Sequence, residues 1–539
     1  MNLLFTFAIS SQNLRELLLI DLGSQYSPVL ERKLNQFKLG IHKLSVDSEV
    51  IPHPSFNFSN YKSVVISGSP FSVVEFSKTP FFNWIKTQLI DSQDTPILGI
   101  CFGMQLIHQV FNGSVSPELG PCYGEIEVVR ERDHPFFYNV PFKFRGWASF
   151  TDSVTRLGSG FFSLATGEGK NLIASHVSKP IYTIQYHPEL DESEFGEQLI
   201  RNFLSISGFD IQLIDSAYLS SKSENLLSIL TKEYAEQLMG KKILIAVSGG
   251  LDSSVLIHFL KNMVLAGDIY PIYISTGLYP KHYEEKVINY FSKKFSNFKV
   301  INWEDSVFEE LKGVKNAEQK RKIISEKYWK SICLVAEELK QKGVSVFAQG
   351  TLCSDKVESG KGGQESDTIK SHHNVLHSEE LKELELIEPF SNIFKDQVRE
   401  LGSQLHLSTF WLSKQPFPGP GLAIRVIGEV TKEKVELLGS IQQFIEQEFQ
   451  EEGLERYSDQ YFPILLSDKA VGVKGDQRIL GYSIVLRAIK TKDFMSASVS
   501  PISINELIAL GNKIVSSFPA VSRVLYDLTT KPGGTIEWE

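Results

Sequence analysis

Cysteine is scarce and scattered, with Cys101, Cys122, Cys333 and Cys353 the only four in 539 residues. None is spaced as CxxC, which argues against a thiolate zinc site, and four are too few for a disulfide framework. Reduced thiols, and with them a cytoplasmic location, are expected. No apolar run approaches the roughly 18 residues that cross a bilayer, so no membrane partner is expected. The apolar start, MNLLFTFAISSQ, lacks a basic segment and reads as a short extension rather than a signal peptide. An excess of positive charge is missing too: 55 Lys plus Arg face 64 Asp plus Glu, for a formal net charge of −9. Sequence-independent nucleic-acid binding needs clustered positive charge, so no nucleic-acid partner is expected either. Small anionic substrates in a local basic pocket stay open. Repeats and low-complexity tracts are absent.

What is present is an ordinary globular composition, 42% apolar and 22% charged, at a length that suits about three domains. Short apolar runs at 17–20, 64–66 and 97–100 each empty into a loop, at Gly23, at Ser67-Gly68-Ser69-Pro70 and at Cys101. Such runs read as buried parallel strands, and open α/β sheets bind ligands at their carboxyl ends. A further run at 181–186 ends at His187-Pro188-Glu189. Helical periodicity at 221–240, a strand at 241–247, a Gly turn, a helix from Asp252 and strands at 270–275 and 344–348 predict a second parallel sheet. Residues 349–371 are polar and Gly-rich and read as a mobile loop. A third unit opens at Pro416-Phe417-Pro418-Gly419-Pro420-Gly421, which suits neither helix nor regular strand. Helices at 432–449 and 504–517 and a strand at 521–528 follow. The predicted fold class is α/β: two doubly wound parallel-sheet domains, 14–206 and 207–414, then a smaller α+β domain, 415–539.

Two constellations carry chemistry. Gly99-Ile100-Cys101-Phe102-Gly103 follows a strand and precedes a helical pattern at 104–111. Flanking glycines permit the strained turn that presents a nucleophile, and a helix N-terminus favours a thiolate. Alone, Cys101 reads as a packed cysteine in a strand–helix turn, since free cysteines are usually just buried. His187 and Glu189 change that weighing, because a nucleophile needs a base and the base an orienting acceptor. The second constellation, Ser248-Gly249-Gly250-Leu251-Asp252-Ser253-Ser254, also follows a strand and opens a helix. Glycines let an anion approach the backbone, and the N–H groups of the loop and helix start supply positive potential. No GK[ST] ending follows, so this is not a Walker A loop.

The first segment resembles the class I, triad-type glutamine amidotransferases, on the GxCxGxQ run from Gly99 to Gln105 and on His187-Pro188-Glu189. The resemblance implies Cys101 as nucleophile, His187 as base and Glu189 as its orienter. It also implies Gln105 as a glutamine contact and Gly68 as donor of an oxyanion N–H. SGGLDSS resembles the pyrophosphate loop of the ATP pyrophosphatases, which cut ATP between the α and β phosphates. ATP is then implied at Ser248, Gly249, Gly250, Leu251, Asp252, Ser253 and Ser254, with Mg²⁺ near Asp252.

Further runs follow in order: 320–324 (KRKII), 349–352 (QGTL) with Glu358-Ser359, and 370–375 (KSHHNV). After them come 416–425 (PFPGPGLAIR), 471–476 (VGVKGD), 493–495 (DFM) and 526–539, ending KPGGTIEWE. Singly, each reads as a loop or a solvated face, and the paired histidines lack a metal-ligand spacing. Together they resemble the glutamine-hydrolysing GMP synthases over almost the whole chain after residue 14. That resemblance implies amination of xanthosine 5′-monophosphate (XMP) to GMP through adenylyl-XMP, with ATP cleaved to AMP and pyrophosphate and ammonia drawn from glutamine. It implies XMP contacts at Arg321, Asp476, Lys531 and Glu537, and a homodimer formed through the third domain. In the tail, Ile536 and Trp538 alternate with Glu537 and Glu539, which predicts a strand with both carboxylates on one face.

The chain departs from that family's pattern in four places. Phe150 stands where MSHGD has its His, and Cys122 where EYG has its Glu. Residues 275–280 (STGLYP) replace a run like DNGLLR, and Lys414-Gln415 replaces Arg-His. An ATP pyrophosphatase acting on another acceptor, a non-catalytic nucleotide-binding regulator and a tRNA-thiolating enzyme are the rival readings. The acceptor-side motifs, the intact Cys101/His187/Glu189 set and the acidic charge balance argue against them in turn.

Overall fold

The fold is taken from a computed structural model and described over residues 16–46, 51–53, 56–210, 225–353, 355, 384–412, 414–491 and 494–539. These residues form two compact units, one ending before residue 225 and one beginning there.

The first unit is built on β1 (Leu17–Asp21), β2 (Ile41–Ser45), β3 (Ser63–Ile66), β4 (Ile97–Ile100), β5 (Ser114–Ser116), β6 (Cys122–Arg130), β7 (Lys143–Phe150), β8 (Ser153–Arg156), β9 (Phe161–Gly167), β10 (Lys170–His176) and β11 (Ile181–Ile184). The main sheet runs β2-β1-β3-β4-β11-β10-β9-β6-β7. Strands β2 to β11 along that order are parallel. The rest pair antiparallel. The parallel half is doubly wound, as expected: Leu17 and Leu19 enter one core while Leu18 and Ile20 enter another. Period two sends alternate side chains to opposite faces, so a strand apolar on both must be covered on both. The antiparallel half extends the expected sheet. Its β6 shows strict alternation of buried and exposed residues from Cys122 to Val128, as a sheet with one wet face should.

The second unit contains β12 (Lys242–Ala246), β13 (Ile269–Ser275), β14 (Lys299–Asn302), β15 (Val344–Ala348) and β16 (Glu385–Ile387), all parallel, in the order β14-β13-β12-β15-β16. Ile243 and Ile245 face one core and Leu244 the other. A second sheet follows, from β17 (Gln460–Lys474), β18 (Gln477–Lys490), β19 (Ser498–Val499) and β20 (Val521–Tyr526). β17 and β18 form a long hairpin whose turn, Gly475-Asp476, has φ of 53° and 62°, the left-handed pair that a two-residue hairpin favours. Helices Lys432–Glu451 and Ile504–Ser517 cover this sheet. Their core also takes in Leu278, Val307, Leu311 and Ile324 from the preceding segment. That shared core is why residues 225 onward behave as one unit. Of the expected mobile loop, residues 349–353 and 355 are described and the rest lie outside the described residues.

The tail differs from expectation. It is not a strand; beyond β20 it makes one isolated bridge, Lys531 to Ala497. Glu537 is buried and Trp538 is exposed, opposite to expectation, whereas Ile536 packs inward on Phe462, Ile464 and Val485. The carboxylates are drawn inward by buried cations, an attraction that sequence alternation does not encode.

Candidate active sites

Cys101 sits between β4 and the helix Phe102–Val110 with φ 53° and ψ −106°, a conformation costly for a residue with a side chain. The glycines around it are required by contact. A Cβ on Gly103 would stand 2.5 Å from the Ile66 carbonyl oxygen, and one on Gly99 would stand 2.7 Å from the Gly103 oxygen. The elbow helix thus lies directly on β3 and β4. The Cys101 N–H donates to Ile184 O at 2.7 Å, which ties the turn to β11.

β11 leads into His187 and Glu189, the base and orienter expected from the sequence. His187 Nδ1 lies 2.8 Å from Glu189 Oε1, and both residues are buried. Burial opposes a charged imidazole, but the neighbouring Cys101 and Glu189, by charge and by hydrogen bond, outweigh it and push His187 up to about 10. The run is locked in place: His187 N–H donates to Trp147 O at 2.9 Å, and Ser193 Oγ donates to His187 O at 2.6 Å. A Cβ on Gly68 would stand 3.3 Å from His187 Cε1, so the Ser67-Gly68 loop also faces the imidazole. Ser67 Oγ holds that loop, accepting from Leu22 N–H at 2.9 Å. Gln105 is buried, and its amide donates to Asp152 O at 2.7 Å. Sequence reasoning missed Tyr26, whose ring stands edge-on to His187 with centroids 4.5 Å apart. Its position in the loop after β1, at the carboxyl edge of the sheet, was the available signal.

Two of the departures prove to be one. Cys122 and Phe150 are directly opposed across β6 and β7, and both join the apolar core. Together they form one apolar cross-strand pair.

In the second unit, Gly249 has φ 71° and leaves no room for a side chain, since its Cβ would stand 2.3 Å from Val287 Cγ2. The helix Leu251–Lys261 begins beyond it. Ser248 N–H donates to Ser253 Oγ at 3.2 Å and Gly250 N–H to Ser248 Oγ at 3.2 Å, closing the loop on itself. Ser248, Asp252, Ser253, Arg321, Asp355 and Lys395 line one cavity of about 260 Å³, with the aromatic walls Tyr279, Tyr328, Trp329 and Phe417. Asp252 Oδ2 lies 3.6 Å from Lys395 Nζ, and its buried Oδ1 accepts no hydrogen bond from the described residues. Leu251 and Ser254 face inward and are buried.

The tail folds onto the same region. Glu537 accepts from Arg425 Nε and Nη2 at 3.0 and 2.7 Å. Arg425, also missed from sequence, is buried and lies over the rings of Phe462 and Phe417. Lys320, fully buried, donates to Ala423 O, Val426 O and the Glu539 carboxylate. Arg321 donates to the Glu539 backbone oxygen. Lys531 is buried and donates to Phe494 O at 2.8 Å, while Lys395 lies over the Phe494 ring. Arg321, Lys531 and Glu537 are therefore linked to the cavity or its rim. Asp476 is exposed at the hairpin tip, and no described contact joins it to them. Glu358, Ser359, residues 370–375 and Asp493 lie outside the described residues.

Comparison with known proteins agrees with this division. Residues 18–206 match the family Glutamine amidotransferase class-I. Residues 447–538 match the GMP synthase C terminal domain. The chain is similar to a protein of Treponema denticola named GMP synthase (glutamine-hydrolyzing), 36% identical over 532 residues and 97% of each chain. A protein of that name from Mesoplasma florum is 35% identical over 97% of this chain and 99% of its own. Another from Bacillus subtilis is 36% identical over 97% and 98%. On residues spread through both units, the chain belongs to the glutamine-hydrolysing GMP synthases, a family of ligases.

Proposed function

We propose that the chain aminates XMP to GMP in two chemically separate sites, with domains 14–206 for glutamine, 207–414 for ATP and 415–539 for dimerisation and XMP. One observation carries the reading: the same chain holds a strained Cys101 with a buried His187–Glu189 pair and, in another unit, a glycine loop beside a cavity lined by Arg321 and Lys395 together with Asp252 and Asp355. In the first site His187 takes the thiol proton, and Cys101 Sγ attacks the side-chain carbonyl of glutamine. The Gly68 N–H meets the developing oxyanion, the imidazolium gives its proton to the leaving ammonia, and water then hydrolyses the thioester. Glu189 holds the ring and balances its charge.

In the second site the C2 oxygen of XMP attacks the α-phosphorus of ATP and pyrophosphate leaves. Ammonia then displaces AMP to give GMP. The start of the helix Leu251–Lys261 and the Ser248–Gly250 turn suit the pyrophosphate. Lys395 and Arg321 supply charge for phosphates. Mg²⁺ bound with ATP would neutralise phosphate charge. Asp252, with one buried oxygen free of hydrogen bonds, and Asp355 suit it, because Mg²⁺ binds through one or two carboxylates plus phosphates. Among the described residues no group of three or more His, Cys, Asp or Glu forms a dedicated cage.

Val471, Val473 and Leu480 are exposed and share one face of the β17–β18 hairpin, an apolar strip that supports a second copy of the chain as partner. No described helix is long and apolar enough to cross a membrane. A cytoplasmic location without nucleic-acid partners belongs to the same reading. The test is loss of XMP absorbance with ATP and Mg²⁺, supplied first with ammonium and then with glutamine. The reading expects AMP and pyrophosphate in step with GMP from both nitrogen sources. ATP cleavage that leaves XMP intact would overturn it.

A further inference from the structure

Lys414, one of the departures from the family pattern, lies behind the glycine loop and not among the residues lining the nucleotide cavity. Its Nζ donates to the Gly249 carbonyl at 2.9 Å and sits 4.5 Å from the centre of the Tyr283 ring. The Tyr283 hydroxyl donates to Glu446, and Gln442 donates to the same carboxylate at 2.6 Å. The ammonium is thus seated on an aromatic face that is itself anchored to the helix Lys432–Glu451.

The acceptor matters because of what lies across its peptide. The Gly249–Gly250 bond is trans, so its N–H points away from its carbonyl. A carbonyl held from the Lys414 side presents the Gly250 N–H to the opposite side, where it meets Ser248 Oγ, and Ser248 lines the cavity. A peptide between two glycines has little steric preference of its own and turns over easily. An external clamp is therefore what fixes its orientation.

We infer that Lys414 is a positioning residue for ATP: its ammonium holds the Gly249 carbonyl so that the Gly250 N–H faces the phosphates of bound nucleotide. The inference rests on the reading of residues 248–254 as the ATP loop. The groups facing Lys414 are Glu446 from one helix and His282, Tyr283 and Lys286 from the helix Lys281–Lys294. Burial, and then Lys286, lower the ammonium against the pull of Glu446, to about 8. A guanidinium would stay charged throughout this range.

The experiment uses the full chain with ammonium as nitrogen source, saturating XMP and varied Mg-ATP, between pH 7 and 9. Lys414→Met should raise KM for ATP about tenfold, the equivalent of one lost charge-assisted hydrogen bond. Lys414→Arg should restore it to within about threefold. KM for ATP in the wild type should climb from pH 7 to 9 as the ammonium discharges, while Lys414→Arg stays flat. If Lys414→Met does not fold, the pH comparison between wild type and Lys414→Arg decides alone. An unchanged KM in Lys414→Met, or the same pH slope in wild type and Lys414→Arg, overturns the role of Lys414. Gly249→Val separates the two levels. If the wild type saturates with ATP and Gly249→Val does not, the loop reading stands whatever Lys414 does. A wild type that never saturates with ATP overturns both.

Discussion

Gly103→Ala adds one carbon to the elbow helix, and the structure says where it must go. The new Cβ would stand 2.5 Å from the Ile66 carbonyl oxygen, against about 3.3 Å for a close carbon–oxygen contact. Helix and strand must part by about 0.8 Å. Neither partner is a flexible side chain, since the oxygen is backbone in the buried end of β3. The segment after Ile66 is Ser67-Gly68, which faces His187. A displacement approaching 1 Å between the proposed nucleophile and the proposed oxyanion donor costs about 10²-fold in rate, or about 2.7 kcal/mol. The same overpacking should cost about 1–3 kcal/mol of stability. The assay compares GMP formation from glutamine and from ammonium in the folded variant. Glutamine-supported turnover should fall about 100-fold and ammonium-supported turnover should hold. Gly169→Ala serves as a stability control, because its positive φ strains the backbone while open space surrounds the added carbon. Full glutamine-supported activity in Gly103→Ala would refute the claim that this contact sets the site.

Gly249→Val should abolish GMP formation from both nitrogen sources, because the loop needs φ 71° and Val287 fills the side-chain space; retained ammonium-supported activity would contradict this. Glu537→Gln leaves Arg425 buried without its carboxylate, at a cost of about 3 kcal/mol, and should raise KM for XMP at least tenfold while glutamine hydrolysis at Cys101 persists. Unchanged XMP saturation would reduce the tail to scaffolding. Buried His108 accepts from Gly158 N–H on Nδ1, and burial lowers it to about 3. Its folded value lies below the ordinary 6.5, so the unfolded chain takes up the proton first and stability is lost as pH falls below 6.5. About 2 kcal/mol should go by pH 5, read as a lower urea midpoint that His108→Asn does not show; equal slopes in both proteins would contradict it.

Strands with buried faces were legible in the sequence because apolar run length and the loops that end them are local signals. Residues 97–100 and 344–348 match β4 and β15 residue for residue. Cys101, His187 and Glu189 were legible for the same reason, each standing at the end of such a run. The antiparallel half of the first sheet lies beyond those expectations, although the alternation in β6 carries its signal. Arg425 and Tyr26 were missed because their roles depend on partners far away in sequence, Glu537 for one and His187 for the other. The tail misled for a related reason. Alternation predicted a strand with both carboxylates on the face away from Ile536 and Trp538, but the buried cations Lys320 and Arg425 draw Glu539 and Glu537 inward. The pairing of Cys122 with Phe150 also needed the register, which turned two separate departures into one exchange within the core.

The most direct test of the central claim, two chemistries in one chain, is GMP formation by Cys101→Ala measured with glutamine and with ammonium in parallel. In the proposed reading only the glutamine route passes through the Cys101 sulfur, while ATP and XMP would meet in the cavity that Ser248, Asp252 and Arg321 line in the other unit. The account predicts that glutamine-supported synthesis is abolished and that ammonium-supported synthesis stays within about twofold of wild type. Equal loss with both nitrogen sources in a folded Cys101→Ala protein, or full retention with glutamine, would contradict it.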